Sequence, residues 1–515
     1  GKAYSTYQRT GLLLVRQGLV ALVYDCIGQG ERSSFLKGTK STGFQHKLDN
    51  VNSILVGRTV VGYQTWDSLR SADYLLSRPE VDRSKPLGMT GNSGGGGQTM
   101  YLMALDERIG PAAPSCHITT IEREFAQGKA GDGCQWAPFT GQLGIDHGDF
   151  FTMRAPRPSI ILSAEQDYKD IRYTRVTFKE TQRVYDLLGH PERMGMFAYD
   201  DKHGFSKPRR EAAARWMTRW LLGRNDPVTE PEMKTYTPEQ LRVTATGQVL
   251  KEYPQSLSVS QLNLQRAHAL ATDRKDYWKS RSVSEAMKEI GELIGVRPNL
   301  QSPQVESRGV VQRGTYQIEK LVLQRPDEIP VPGLLFVPSG IEGKHPATLY
   351  LDGRGKATDA NAGGEIEKRL AMGEIVLSLD LRGFGETSDR KRNVVYYTRE
   401  FRAGMWSLHL GQTLLGQRVE DALSGFQVLS NHAHVDARQI HLVGIERAGP
   451  VALHAAALQA GVASVSLRDS IRSWVEDVVA NPLHKQLMGY VVPHALKKYD
   501  LPDLVKILGK KLTIE

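Results

Sequence analysis

The sequence predicts an α/β chain of two domains, each a mostly parallel sheet flanked by helices. Three observations predict it. Apolar runs that end in an acid lead into tight glycine loops: Leu19 to Asp25 precedes Gly28-Gln29-Gly30-Glu31, and Ile375 to Asp380 precedes Gly383-Phe384-Gly385-Glu386. A short apolar segment from Leu87 runs into Gly91-Asn92-Ser93-Gly94-Gly95, with a helical stretch from about Gln98. Finally, separate landmarks recur at one offset of about 353–355 positions, the signature of an internal repeat.

The repeat carries the domain reading. Gly1-Lys2-Ala3 returns as Gly355-Lys356-Ala357, and Val81-Asp82-Arg83 returns as Val435-Asp436-Ala437-Arg438. Gly444-Ile445-Glu446-Arg447 falls where Gly91 to Gly94 lead one to look. The expected division is therefore 1–224, a first domain, and 301–515, a second. Between them, 225–300 reads as a linker, marked by Pro227, Pro231 and Pro238, with helical stretches at 262–271 and 284–294. About 50 residues precede Gly355 in the second copy, including antiparallel strands expected at 316–323 and 331–337. The first copy has no such lead, and the second stops at 511–515, where its next core strand is expected to start. The front of domain one and the end of domain two are thus expected to be missing, or the two partial copies to complete one another.

Within the first domain the elements follow in order. Leu19 to Asp25 reads as a buried parallel strand. Residues 66–76 have helical periodicity, with Trp66, Leu69, Tyr74 and Leu76 as apolar members. The segment from Leu87 is the next strand. Residues 159–167 form a strand ending in acids, 175–188 a helix, 193–199 a further strand and 212–222 a closing helix.

At 515 residues the chain exceeds one ordinary core. With 40 % apolar and 24 % charged residues it has globular composition. The net charge of +9 is scattered among acids, which reads as a solvated mixed-charge surface and not as a nucleic-acid interface. No run of about 18 apolar residues suggests a membrane span, and no signal peptide is visible. Cys26, Cys116 and Cys134 have neither metal spacing nor a disulfide framework, although one pair could close in an oxidising compartment.

The chemistry centres on Ser93. G-x-S-x-G between a strand and a helix is the nucleophile-elbow pattern: a turn so sharp that its neighbours must be glycine, with the hydroxyl at a helix head. The N–H of Gly94 is the natural first oxyanion donor. A serine nucleophile needs a base to take its proton and an acid to orient that base. The strand ending at Asp167 offers the acid, and the next strand end offers His203. Asp170, three residues further on, is the alternative acid. Asp200 and Asp201 read as surface or supporting groups, His190 as solvent-facing, and His117 and His147 as pocket-lining or structural. In the second copy Glu446, or a neighbour, stands at the nucleophile position and cannot perform acyl transfer as serine does.

Gly28-Gln29-Gly30-Glu31-Arg32, Gly91 to Gly96, Pro114-Ser115-Cys116 and Asp201-Lys202-His203-Gly204 together resemble the acetyl xylan esterase and cephalosporin-C deacetylase group, in the dienelactone hydrolase-like branch of the α/β-hydrolases. The resemblance covers 1–223 well and 300–515 as a diverged copy, so it implies two α/β-hydrolase domains with the second non-catalytic. It implies hydrolysis of carboxylic esters, often acetyl groups on plant polysaccharides, without metal or organic cofactor. It also implies a second oxyanion N–H from the loop just before Gly1. Loop position makes Gln29, Glu31, His117, Trp136 and His147 the expected walls of the substrate site. The expected partner is a small-molecule or polysaccharide ester, with neither nucleic acid nor membrane, in a periplasmic or secreted setting; a homo-oligomer stays open. Two rival readings stand beside this one. A prolyl-oligopeptidase-like peptidase also uses a glycine-rich serine elbow, but usually carries a β-propeller, and no run of blade repeats is present. A non-catalytic carbohydrate-binding or scaffolding protein has no need of Ser93, Asp167 and His203 in this order.

Overall fold

The computed structural model describes residues 1–35, 42–128, 133–135, 137–388, 399–483 and 488–515. They divide into two compact units, Gly1–Asn50 with Arg58–Ser260, and Val51–Gly57 with Gln261–Glu515. Both are α/β in architecture.

The first unit is built on a parallel sheet of β1 (Leu87–Asn92), β2 (Ile109–Ser115), β3 (Ser159–Ala164) and β4 (Met194–Tyr199), in that spatial order. β3 is buried along its whole length, as a parallel strand covered on both faces must be. Its side chains alternate between two layers of core. Ile161 packs with Met100, Phe151 and Tyr185, whereas Ile160 and Leu162 pack with Ala113, Trp216 and Met217. These layers are supplied by α1 (Ser5–Arg16), α2 (Val60–Ser77), α3 (Gly94–Leu105), α4 (Ile171–Leu187) and α5 (Lys207–Leu222). Local chemistry fixes their ends. Thr59 caps α2 by accepting from the Gly62 N–H at 3.0 Å, and α5 stops at Gly223 in the left-handed conformation.

The predicted strand over Leu19–Asp25 does not form. These residues carry no ladder, and Val20, Leu22 and Val23 are 50 %, 36 % and 37 % exposed. The expected buried strand is absent because a strand exists only against a partner, and among the described residues these pair with none. Asp25 itself is buried. It accepts the Lys2 backbone N–H at 2.6 Å, the Lys2 ammonium at 2.7 Å and the Glu31 N–H at 3.1 Å. Gly30 passes so close, at φ +55°, that a Cβ there would strike the Asp25 carboxylate. Residues 225–260 fall in this unit, where Glu230 pairs with Arg210 at 2.5 Å and Thr244 donates to Glu31 at 2.7 Å.

The second unit carries an eight-stranded mixed sheet: β5 (Gln304–Arg313), β6 (Tyr316–Gln324), β7 (Val331–Pro338), β8 (His345–Asp352), β9 (Ile375–Leu379), β10 (Val435–Ile445), β11 (Val462–Arg468) and β12 (Leu512–Ile514). The order is β12-β11-β10-β8-β9-β7-β6-β5. Pairings from β12 to β9 are parallel, and those from β9 to β5 antiparallel. The expected strands at 316–323, 331–337 and 511–515 are β6, β7 and β12. Leu349, Leu351, Ile375, Val376 and Leu377 at the centre are fully buried. Helices α6 (Val283–Ile294), α7 (Leu414–Asn431), α8 (Gly449–Leu458) and α9 (Leu501–Leu508) belong to this unit.

The repeated sequence landmarks have repeated geometry. Asp380 accepts from the Lys356 backbone N–H and ammonium and from the Glu386 N–H, as Asp25 does from Lys2 and Glu31. Thr413 caps α7 through the Gly416 N–H at 2.9 Å. Non-glycine residues with positive φ also recur: Ser93 (58°) and Glu446 (49°), Cys116 (52°) and Asp469 (50°). Among the described residues no helix is long and apolar enough to cross a membrane.

Candidate active site

β1 delivers the chain to Asn92, α3 begins at Gly94, and Ser93 alone makes the turn at φ 58°, ψ −117°. For a non-glycine residue this conformation stores on the order of 1–3 kcal/mol and persists only where the surroundings enforce it. They do so here. The Ser93 N–H donates to the Ser115 carbonyl at 2.8 Å, and the Gly97 N–H donates to the Ser93 carbonyl at 3.0 Å. A Cβ on Gly91 would lie 2.6 Å from the Gly95 carbonyl oxygen, which is why that position has no side chain. The N–H groups of the first turn of α3, that of Gly94 among them, have no acceptor within the helix.

Asp167 and His203 come together as the sequence pattern expects. Asp167 follows β3, and its carboxylate oxygens lie 2.9 and 3.0 Å from the His203 Nδ1. The Asp167 side chain is 2 % exposed, while that of His203 is 26 % exposed, so the acid is sealed and the imidazole is reachable. Burial by itself would raise the Asp167 carboxyl. The His203 hydrogen bond, the Lys169 N–H at 3.0 Å, the His203 charge and the Cys116 thiol outweigh it and hold the group below the ordinary aspartate range. The turn after Asp167 is pinned by a buried ion pair, Lys169 to Glu124 at 2.8 Å. Asp170, the alternative acid, is spent elsewhere: it binds Arg123 and Arg172 and caps α4.

One side chain joins this pair to the serine turn. Asn92, with its amide nitrogen facing Gly204, donates to the Gly204 carbonyl at 2.8 Å and to Ser115 Oγ at 2.9 Å, and its oxygen accepts from the Ser93 N–H at 3.3 Å. The residue before the serine thus holds the residue after the histidine. Tyr168 packs on the imidazole: its ring and that of His203 have centroids 4.5 Å apart and planes tilted by 34°. Burial pushes that phenol up to about 12, so it stays protonated.

Cys116 lies beneath the acid. Burial first, and the Asp167 charge second, push its thiol up to about 11. Its sulfur contacts the fully buried guanidinium of Arg209, which also binds Asp201 at 2.9 Å. Ligand atoms of Cys116, Asp167 and His203 lie within 4.8 Å of one another. Within that group the Arg209 cation lies against the sulfur, and His203 Nδ1 is hydrogen-bonded with Asp167. Cys26, Cys116 and Cys134 form no disulfide among the described residues.

The expected substrate walls are placed variously. Gln29 is half-buried and lines the same cavity as Ser93. Glu31 is buried and bound to Lys2 and Thr244. His117 and His147 are 1 % and 0 % exposed, with ring centroids 5.1 Å apart. Burial drives both toward the neutral form, His147 to about 3. His117 lies directly beneath α3, since a Cβ on Gly97 would come within 2.9 Å of its ring. Trp136 lies outside the described residues. Tyr168, Arg209 and the anchoring role of Asn92 were missed in the sequence. Tyr168 had one available signal, its place directly after the acid.

In the second unit the corresponding turn, from β10 into α8, carries Glu446, with the Arg354 guanidinium at 3.8 Å. Its neighbour Arg447 pairs with Glu400 at 3.2 Å.

The class defined by this fold and site is an α/β protein with a strained serine between strand and helix and an aspartate–histidine pair on following strand ends. No family model matches the chain. It is similar to the "Putative hydrolase YtaP" of Bacillus subtilis (strain 168), 22 % identical over 241 residues, 44 % of this chain and 78 % of that one. Among solved structures, it is similar to a "putative acetyl xylan esterase" from Bacteroides fragilis NCTC 9343, with TM-score 0.40 and 17 % identity over 47 % of this chain and 68 % of that one. A glucuronoyl esterase from Solibacter usitatus gives TM-score 0.34 and 15 % identity over 46 % and 74 %.

Proposed function

We propose that the first unit is a serine carboxylic-ester hydrolase that removes acetyl groups from carbohydrate. The observation that carries this reading is the Asp167–His203 pair, tied through Asn92 to a serine held at positive φ. Ser93 Oγ attacks the ester carbonyl while His203 Nε2 takes its proton. The carbonyl oxygen becomes an oxyanion facing the Gly94 N–H. His203 then gives its proton to the leaving alcohol oxygen, and the acyl group remains on Ser93. Water, deprotonated by His203, attacks that ester, and the released acid leaves Ser93 protonated again. Asp167 holds the imidazole with Nδ1–H toward itself and stabilises the imidazolium at each proton transfer. No step calls on a metal or organic cofactor.

The similarities to named acetyl xylan and glucuronoyl esterases agree with an ester as substrate. Glu446 at the second turn supports a non-catalytic role for residues 301–515, with 1–224 as the catalytic domain and 225–300 as the linker. The test is hydrolysis of 4-nitrophenyl acetate by the protein and by Ser93→Ala, with a fluorophosphonate label located by mass spectrometry. Turnover lost in the variant and the label on Ser93 are expected. An intact rate in Ser93→Ala, or hydrolysis of acyl-peptides but not aryl acetates, would remove the reading.

A further inference from the structure

His203 stands on the loop between β4 and α5, and one side chain grips that loop on both sides of it. Arg209 projects from the first turn of α5 with none of its side chain exposed. Its Nη2 donates to the Asp201 carboxylate at 3.0 Å and to the Lys202 carbonyl at 3.1 Å, before the histidine. Its Nε donates to Ser206 Oγ at 3.2 Å, after it. Its Nη1 donates to the Cys116 sulfur, and that thiol donates to the Gly204 carbonyl at 3.5 Å. Every nitrogen of the guanidinium is therefore engaged with the histidine loop, directly or through Cys116.

The placement is costly. A cation in the first turn of a helix opposes the helix dipole. Full burial strips the hydration from a group that does not give up its charge. The one carboxylate paired with Arg209 among the described residues, Asp201, keeps 21 % of its side chain in water, so the ion pair is sealed on the arginine side alone. An uncharged side chain would fill the same volume at less cost. What a guanidinium adds is a rigid fork that fits the loop and a fixed positive charge. That charge lies close to the site: the Cys116 sulfur, on which Nη1 rests, is within 4.8 Å of Asp167 and His203 ligand atoms.

We propose that Arg209 is a positioning residue for His203: its fork holds the loop that carries the base, and its charge offsets the buried Asp167 carboxylate. Without that offset, a sealed carboxylate at Nδ1 favours the imidazolium, which cannot accept the Ser93 proton. The other titratable groups about the ring are Asp167, the Tyr168 ring, Cys116 and the buried His117. Of the nearby lysines, Lys169 is paired with Glu124, and Lys202 is exposed, where water screens it. The consequence for rate rests on the esterase reading; the consequence for proton binding at His203 does not.

The test compares the full-length protein with Arg209→Gln, Arg209→Lys and Asp201→Asn. Two quantities are read: the pH profile of kcat/KM for 4-nitrophenyl acetate, and the NMR titration of the His203 ring, identified as the signal lost in His203→Gln. Arg209→Gln removes fork and charge. Its kcat is expected to fall about 10-fold or more, with the acid limb and the ring titration moved to higher pH by about half a unit or more. Arg209→Lys keeps the charge and loses the fork, so kcat is expected to fall about 3–10-fold with limb and titration in place. Asp201→Asn leaves the Arg209 charge less compensated, and both are expected to move to lower pH, a reversal of sign that damaged packing does not produce. A limb and titration unmoved in Arg209→Gln, or an undiminished kcat in Arg209→Lys, overturns the proposal. Should Arg209→Gln fail to fold by circular dichroism, an unmoved titration in Asp201→Asn, whose carboxylate is partly exposed, overturns it instead. Absence of turnover in the unsubstituted protein removes the esterase reading, and the ring titrations then decide the role of Arg209 alone.

Discussion

The Tyr168 ring packs on the His203 ring, with centroids 4.5 Å apart and planes tilted by 34°. In the proposed mechanism it orients the base. Tyr168→Phe keeps the ring and removes only the hydroxyl, so kcat/KM for 4-nitrophenyl acetate is expected to stay within about two-fold. Tyr168→Ala, which frees the imidazole, is expected to lower it about 2–10-fold, with KM little changed. Equal rates in all three proteins would show that the contact is packing alone.

The two acids near β3 are expected to behave differently. Asp167→Asn leaves the shape intact but favours the wrong imidazole tautomer, so kcat is expected to drop on the order of 10³–10⁴-fold. Asp170→Asn keeps a capping side chain and weakens two arginine ion pairs, at about 0–1 kcal/mol of stability, and keeps most of its activity. The reverse pattern in the two rate constants would transfer the role to Asp170.

Stability is expected to rise with pH between about 3 and 6.5, through the buried histidines. His147 titrates at about 3 when folded, against about 6.5 when unfolded, because burial penalises its charged form. A group depressed in this way is neutral in both states above about 6.5 and costs nothing there. Below that, the unfolded chain gains a proton that the folded chain refuses, and stability is lost as pH falls. Urea midpoints at pH 5 and pH 7 measure the slope, and His147→Gln is expected to flatten it.

Gly30→Ala and Gly385→Ala are expected to fail alike. Each glycine has positive φ and lies against a buried carboxylate, Asp25 or Asp380, that ties the loop to a lysine. Left-handed strain and overlap together are expected to cost about 2–4 kcal/mol, read as a drop in thermal midpoint. A harmless Gly30→Ala would mean that the Lys2–Asp25–Glu31 network does not hold its loop.

The local turns and the repeat were legible because they depend on residues close in sequence. A sharp elbow demands glycine at fixed places, and an acid at a strand end precedes a histidine at the next. Leu19 to Asp25 was misread because periodicity reports that a segment suits a strand, not that a partner is present. His117 and His147 were expected at the substrate wall from loop position. Their burial depends on the packing of α3 over β2, which no local pattern encodes. Tyr168 was hidden for a related reason: nothing in an Asp-Tyr pair says that the ring folds back over a residue 35 positions later.

The matched backbone at Ser93 and Glu446 separates the demands of folding from those of chemistry. Both residues occupy a conformation that glycine adopts more cheaply. At position 93 the strain is tied to presenting a hydroxyl, so relief by glycine would exchange activity for stability. At position 446 no acyl transfer depends on the side chain in the proposed reading. Glu446→Gly is therefore expected to relieve backbone strain at the cost of the Arg354 contact, with turnover unchanged, so the second elbow is a place where stability can be tuned and the first is not.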